Sequence, residues 1–272
     1  MSTQKDIAIL GCGWLGLPLA EALISDGWTV KGATTRSEKL ALLRQKGIQA
    51  YQVKVEPNGI QAIPNDFFHT STLVINIPPR RKRKEVERLH VLEIQQLIKA
   101  ATAGGIKHIL FVSSTSVYGN INSPINEDHP TAPATASGRA LVRIEQLLQE
   151  QSAFQCTILR LSGLVGGDRK AGRFFAGRSD IPGGNVPVNM IHQKDAVGII
   201  QAILTQEKWG YVLNASADQH PLKKDFYPAQ AQKVGLAPPS FLDDQQDYKI
   251  ITNDRVKSLL HYTFQYPDPM EF

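Results

Sequence analysis

Residues Ile7-Ala8-Ile9-Leu10-Gly11-Cys12-Gly13-Trp14-Leu15-Gly16 decide how this chain is read. A short apolar run ends on glycine. From 15 to 25 the apolar positions Leu15, Leu19, Ala22 and Leu23 then recur at helical spacing. Strand, glycine turn and helix follow one another directly, and the three glycines each have a mechanical meaning. The first permits a tight turn, the second lets the main chain approach a pyrophosphate, and the third lets helix pack against strand. Phosphates placed there meet N–H groups at the positive end of the helix dipole. The motif predicts a dinucleotide site held by Gly11, Gly13 and Gly16, with Trp14 and Leu15 between them.

Outward from this turn, β-rich runs alternate with amphipathic stretches. Strands are expected at 29–34, 49–55, 72–77, 108–113 and 157–161. Helices are expected at 85–102, with a stripe through Val86, Leu89, Leu92, Gln96 and Lys99 flanked by Ile94, Leu97 and Ile98, and at 139–149. Such alternation implies right-handed crossovers and a mostly parallel, doubly wound α/β sheet. After residue 160 the rhythm changes. Positions 163–188 are rich in glycine and arginine without a period, so a long ligand-facing loop is expected there. Asp195 is read as the cap of a helix over 196–205, and 211–214 as a last strand. Beyond Ala217, prolines at 221, 228, 238, 239, 267 and 269 punctuate short elements. The organisation expected is a nucleotide-binding domain over 1–160 plus 188–215, with a smaller C-terminal substrate lobe of 161–187 and 216–272 closing over the cofactor.

With 272 residues, 42% of them apolar and 20% charged, the chain can bury a sizeable core, which argues against disorder, collagen and coiled coil. No apolar run is long enough for a membrane span, and the first residues, MSTQKDIAIL, lack the pattern of a secretion signal. Only Cys12 and Cys156 occur, so a disulfide framework is not expected and the reducing cytoplasm is the natural setting. The formal charge of +5 invites an anionic partner. Arg80, Arg81, Lys82, Arg83 and Lys84 supply much of it, and they read first as a solvated segment and second as a contribution to the field around an anionic cofactor. No aromatic interleaving accompanies the run, so nucleic acid is not expected. The histidines show no metal-ligand spacing. Cys12 sits at a helix N-terminus, which lowers a thiol pKa, yet small-residue packing is its simpler role.

An NAD site usually carries an acidic residue at the end of the second strand. Here that strand runs Val30-Lys31-Gly32-Ala33-Thr34-Thr35-Arg36-Ser37, with no carboxylate at its tip. Arg36, helped by Thr35 and Ser37, is placed to pair with a 2′-phosphate, so NADP(H) is expected in preference to NAD(H).

Downstream, Phe111-Val112-Ser113-Ser114-Thr115-Ser116-Val117-Tyr118-Gly119 completes a pattern. The chain resembles the extended and atypical short-chain dehydrogenase/reductases, the group that includes nucleotide-sugar epimerases and dehydratases. The resemblance spans nearly the whole length. It runs through the glycine motif, LVINIPP, SSTSVYG, Glu127-Asp128 before Pro130 and Pro133, Gly138-Arg139 with Glu145, Leu159-Arg160-Leu161 with Gly163 and Gly166, Ile191-His192 with Asp195, and Asn214. Through GWLGLPLA, SGR, GRFFAG and YPDP it is most similar to a bacterial group of atypical members.

The resemblance implies a Rossmann-type fold, with Ile77, Pro78 and Ser113 lining the cofactor slot. It also implies chemistry by a serine, a tyrosine and a lysine. The serine falls on Ser114. The tyrosine position holds Ser137 and the lysine position Leu141, so the reaction departs from the family pattern. Tyr118, four residues beyond Ser114, is the candidate substitute acid, against a structural role for its phenol. Arg139 or Arg143 can stabilise charge in place of the lysine. Arg173, Phe174, Phe175 and Arg178 either hold substrate or cover the sheet.

The expected function is an NADP(H)-dependent oxidoreductase or epimerase/dehydratase acting on a small carbonyl or nucleotide-sugar-like substrate. The competing reading is a catalytically silent NADP(H) sensor or scaffold. The partner expected is a small molecule rather than nucleic acid or a membrane, with a homodimer allowed.

Overall fold

Residues 5–64, 66–80 and 83–272 are described in a computed structural model. Arg81 and Lys82 of the basic run lie outside the described residues. The strands are β1 (Asp6–Leu10), β2 (Thr29–Thr34), β3 (Gln49–Glu56), β4 (Gly59–Ile63), β5 (Thr72–Ile75), β6 (His108–Ser114), β7 (Pro124–Ile125), β8 (Gln155–Leu161), β9 (Gly163–Val165), β10 (Met190–His192), β11 (Val212–Ala215) and β12 (Ile250–Ile251). The helices are α1 (Gly16–Ser25), α2 (Leu40–Gln45), α3 (Val86–Gly104), α4 (Ala136–Gln149), α5 (Gln193–Thr205), α6 (Lys223–Lys233) and α7 (Asp254–Leu260).

Eight strands form one sheet in the order β11-β8-β6-β5-β1-β2-β3-β4. β1 pairs in parallel with both β2 and β5, β2 with β3, and β5 with β6, while β4 returns antiparallel on β3. This is the doubly wound, mostly parallel sheet expected. Its strands are covered on both faces: every residue of β5 is buried, and Ile7 and Ile9 of β1 are fully enclosed. The chain leaves β1 towards β2 and β3, then crosses back to β5. The order therefore reverses between β1 and β5, and in such sheets a crevice opens there at the carboxyl ends of the strands.

The chain divides into two compact units, residues 1–117 with 132–159 and 200–212, and residues 118–131 with 160–199 and 213–272. The second unit contains two small parallel pairs, β9 with β10 and β7 with β12. It also holds a cluster in which Phe226 and Tyr227 of α6 pack with Val188 and Met190 and meet Phe175 and Phe241.

Several elements depart from the sequence reading. The antiparallel β4 lies in a stretch where no strand was expected. The buried face of α3 is Val86, His90, Glu93, Ile94, Leu97 and Ala101, so it keeps Val86 and the flanking Ile94 and Leu97 but is rotated away from Leu89, Leu92, Gln96 and Lys99. Two polar residues on that face are joined to each other. His90 Nδ1 meets Glu93 Oε2 at 3.2 Å, and Arg83 donates to the other carboxylate oxygen. α6 runs through Pro228, where short, proline-broken elements were expected.

Asp195 does not cap a helix starting at 196. α5 begins at Gln193, and the wholly buried Asp195 carboxylate accepts from Gln265 N at 2.7 Å, Tyr266 N at 3.0 Å and Tyr262 Oη at 3.0 Å. It holds the C-terminal segment to the second unit. Among the described residues no helix is long and apolar enough to cross a membrane. Replacing Asp195 by alanine removes the side-chain acceptor of three part-buried donors, so Asp195→Ala is expected to cost about 3 kcal/mol. A lower urea midpoint measures this; an unchanged midpoint refutes the assignment.

Candidate dinucleotide-binding site

The glycine loop joins β1 to α1 inside the first unit, at the β1/β5 reversal. Two of its glycines are demanded by the protein itself. Gly11 has φ +105, and a Cβ there would lie 2.4 Å from the main-chain oxygen of Asn76. A Cβ on Gly16 would lie 2.2 Å from the carbonyl oxygen of Gly11. The first and third glycines thus let helix, turn and the β5 exit touch backbone to backbone.

Gly13 differs. It is exposed, and a Cβ there would meet nothing within 4 Å. No protein atom explains its missing side chain, whereas a phosphate lying against the main chain does. The amino end of α1 agrees with this. Leu15 stands at its N-cap with no side-chain cap, and the first turn has no acidic residue, so the chain leaves the positive end of the helix unneutralised. The residues present fit a dinucleotide.

Asn76 is a positioning residue that the sequence reading passed over. Its Nδ2 donates to Gly11 O at 3.1 Å and its main-chain N donates to Leu10 O at 2.9 Å, so one residue clamps both the strand end and the turn. The available signal was an asparagine interrupting the apolar run LVINI. Ile77 lies beside it, its Cγ2 3.4 Å from the Cβ position of Gly11, and the exposed Pro78 follows.

At the end of β2 Thr35, Arg36 and Ser37 are all exposed, and Arg36 N donates to Thr34 Oγ1 at 3.2 Å. Ser113 and Ser114, adjacent in sequence, have different roles. Ser113 Oγ is buried and donates to Glu145 Oε1 of α4 at 2.5 Å. Ser114 Oγ is half-buried and accepts from Ser116 N at 3.2 Å, so its own proton goes to no other described residue. The turn after β6 rests against the start of α4, where a Cβ on Gly138 would lie 2.7 Å from Ser116 O. In α4 Leu141 is buried, and the nearly buried Ser137 has its Oγ 3.2 Å from Thr135 Oγ1.

Cys12 packs inward. Its Sγ lies 2.8 Å from the Cβ position of Gly32, and burial pushes its thiol up to about 12 despite the nearby helix N-terminus.

Tyr118 belongs to the second unit and is 2% exposed. Its Oη donates to Asn214 Oδ1 at 2.9 Å and accepts from Arg160 Nη1 at 2.6 Å. Burial raises the phenol pKa against the pull of the Arg160 cation. The proton that a substitute acid would deliver is therefore committed to Asn214. Glu127 stands in the same group. Its buried carboxylate accepts from Asn214 N at 2.7 Å, and burial holds its pKa above the usual carboxylate range. Of the residues the sequence nominated, those on the glycine loop, the β2 tip, the β5 exit and Ser113–Ser114 share the first unit.

A family model described as NAD(P)H-binding matches residues 11–205. The chain belongs to that family. This NAD(P)H-binding chain is 39% identical to Protein YeeZ of Escherichia coli K12 over 272 residues, covering 98% of each. Its fold is shared with UDP-N-acetylglucosamine 4-epimerase from Bacillus cereus, at a TM-score of 0.80 and 18% identity, covering 98% of this chain and 93% of that one. It is shared too with a short-chain dehydrogenase/reductase superfamily protein from Agrobacterium tumefaciens bearing bound NAD, at a TM-score of 0.76 and 20% identity, covering 97% and 94%. The NAD(P)H-binding chain thus has the fold of these two proteins, the fold its motifs implied.

Two outcomes test this site. Asn76→Ala removes the donor to Gly11 O, and is expected to cost about 1–2 kcal/mol of stability and to weaken dinucleotide binding about tenfold. Thermal melting and calorimetry measure both. With so high a thiol pKa, Cys12 is expected to stay unlabelled by iodoacetamide in the folded protein at about pH 8 and to react after unfolding. Mass spectrometry of the labelled peptides reads this directly.

Proposed function

We propose that this protein is an NADP(H)-dependent oxidoreductase or epimerase/dehydratase acting on a small carbonyl or nucleotide-sugar-like substrate. The observation that carries the reading is Gly13, a glycine the protein does not need for its own packing, on a loop at the uncapped start of α1. Gly11, Gly13 and Gly16, with Trp14 and Leu15, would take the pyrophosphate. Ile77 and Pro78 would border the slot, with Ser113 held behind it by Glu145.

The preference for NADP(H) rests on the exposed Thr35-Arg36-Ser37 tip with no carboxylate before it. A guanidinium presents a rigid fork that matches a phosphate better than a ribose hydroxyl. The cofactor, when bound, supplies hydride chemistry at its nicotinamide. The chain's part is orientation. Ser114 offers an uncommitted hydroxyl proton to a substrate oxygen, and Asn76 keeps the glycine loop in register.

The second reading, a silent NADP(H) sensor or scaffold, is favoured by α4. Ser137 is nearly buried beside Thr135, Leu141 has no polar atom to offer, and the Tyr118 proton is held by Asn214. NADPH oxidation with assorted carbonyl compounds supports the enzyme, while tight binding without turnover supports the sensor.

Calorimetric titration with NADPH, NADP⁺, NADH and NAD⁺, repeated on Arg36→Ala, tests the cofactor half. NADPH is expected to bind more tightly than NADH, and the variant to lose about 1.5–3 kcal/mol on NADPH alone. Equal affinities in the unaltered protein would sink the NADP(H) preference.

A further inference from the structure

The second unit holds a lysine that dinucleotide binding does not explain. Lys249 immediately precedes β12, and its Nζ donates to the main-chain oxygen of Tyr118 at 2.6 Å. The segment carrying it is pinned by backbone and amide bonds. Asn122 N donates to Tyr248 O at 2.9 Å, and Tyr248 N donates to Asn122 Oδ1 at 2.8 Å. The side chain of Asn189 takes both sides of the next residues. Its Nδ2 donates to Lys249 O at 2.9 Å and its Oδ1 accepts from Ile251 N at 2.8 Å. β12 then pairs with β7, Ile250 opposite Pro124. The receiving carbonyl is equally fixed, because the Tyr118 phenol is locked between Asn214 and Arg160. The position of the amine is thus set by the fold.

An ammonium carries three donor hydrogens and its full charge, and a neutral carbonyl answers only one of the three. Three other cations of this unit have carboxylates at hand: Arg255 on Asp128, Lys224 on Asp243 and Lys257 on Asp218. Among the described residues no carboxylate lies within ion-pair distance of Lys249, although it is half-buried. Burial alone draws its pKa below the ordinary lysine range, the mark of a cation without a counter-charge. A partly desolvated cation held in place with donors to spare attracts an anionic oxygen.

We propose that Lys249 is the anion-recognition residue of the second unit, presenting its remaining donors to a carboxylate or phosphate oxygen of the small-molecule ligand. The capacity to hold an anionic oxygen rests on the second unit alone.

The test is acetylation of the full chain with acetic anhydride, in which the lysine nitrogen attacks one carbonyl, acetate leaves and the nitrogen loses a proton. Each lysine is followed by peptide mass spectrometry, with and without millimolar UDP-glucose or glucuronate. Lys249 is expected to react in the free protein and to be protected about tenfold by one probe, with the exposed Lys107 unaffected. Protection by UDP-glucose assigns the phosphate, and protection by glucuronate the carboxylate. No protection by either probe overturns the proposal. So does failure of Lys249 to react at all, since an amine closed to a small anhydride is closed to a ligand. As a second measurement, Lys249→Gln is expected to lose about tenfold in affinity for the protecting probe while its NADPH affinity is unchanged. Unchanged probe affinity overturns the proposal as well. Dinucleotide binding without protection removes Lys249 alone. Protection without dinucleotide binding removes the enzyme reading and leaves the anion site standing.

Discussion

The site depends on a contact between three stretches of main chain. Gly11, Gly16 and the end of β5 approach so closely that a single methyl on either glycine would collide with a carbonyl oxygen. Asn76 seals the contact by donating to Gly11 O. From this contact follow the start of α1, the position of the loop at the β1/β5 reversal, and the placing of Ile77 beside the turn. A hydrogen bond to a part-buried carbonyl is modest as a net energy, and Gly13 N also donates to Gly11 O at 2.8 Å. The clamp therefore sets geometry more than it adds stability.

Within this frame Gly13 stands apart. Glycine costs backbone entropy, so a glycine with an ordinary φ and open space around it asks for a reason outside the chain. A phosphate against the main chain is such a reason, and the uncapped end of α1 is the matching electrostatic one. Ser113 and Ser114 show a related division. Neighbouring residues on a strand point to opposite sides. One hydroxyl is therefore committed to Glu145 inside the fold, while the other accepts from Ser116 N and gives its proton to no other described residue.

The second unit is organised by buried polar groups joined over long sequence distances. Tyr118 finds Arg160 42 residues away and Asn214 96 residues away. Asp195 gathers residues around Tyr262 and Tyr266 from about seventy residues further on. α3 likewise buries His90 and Glu93: a carboxylate met by the imidazole Nδ1 and by Arg83 can occupy a helix face that hydropathy assigns to solvent.

The main alternation of strands and helices, the parallel sheet and the tight turn of the glycine loop were legible in the sequence because they are local. Apolar periodicity and a positive φ are properties of neighbouring residues, and Gly11-Cys12-Gly13-Trp14-Leu15-Gly16 carries its own geometry. The exposed tip at Arg36 was legible for the same reason. The tertiary structure alone decided which polar atoms meet. It made Asn76 a clamp and Asp195 an anchor for the C-terminal segment, buried the thiol of Cys12, tied the Tyr118 proton to Asn214, and among the described residues left Lys249 without a counter-ion. Hydrogen bonds and desolvation depend on distances between residues far apart in the chain, and no local spacing encodes those distances.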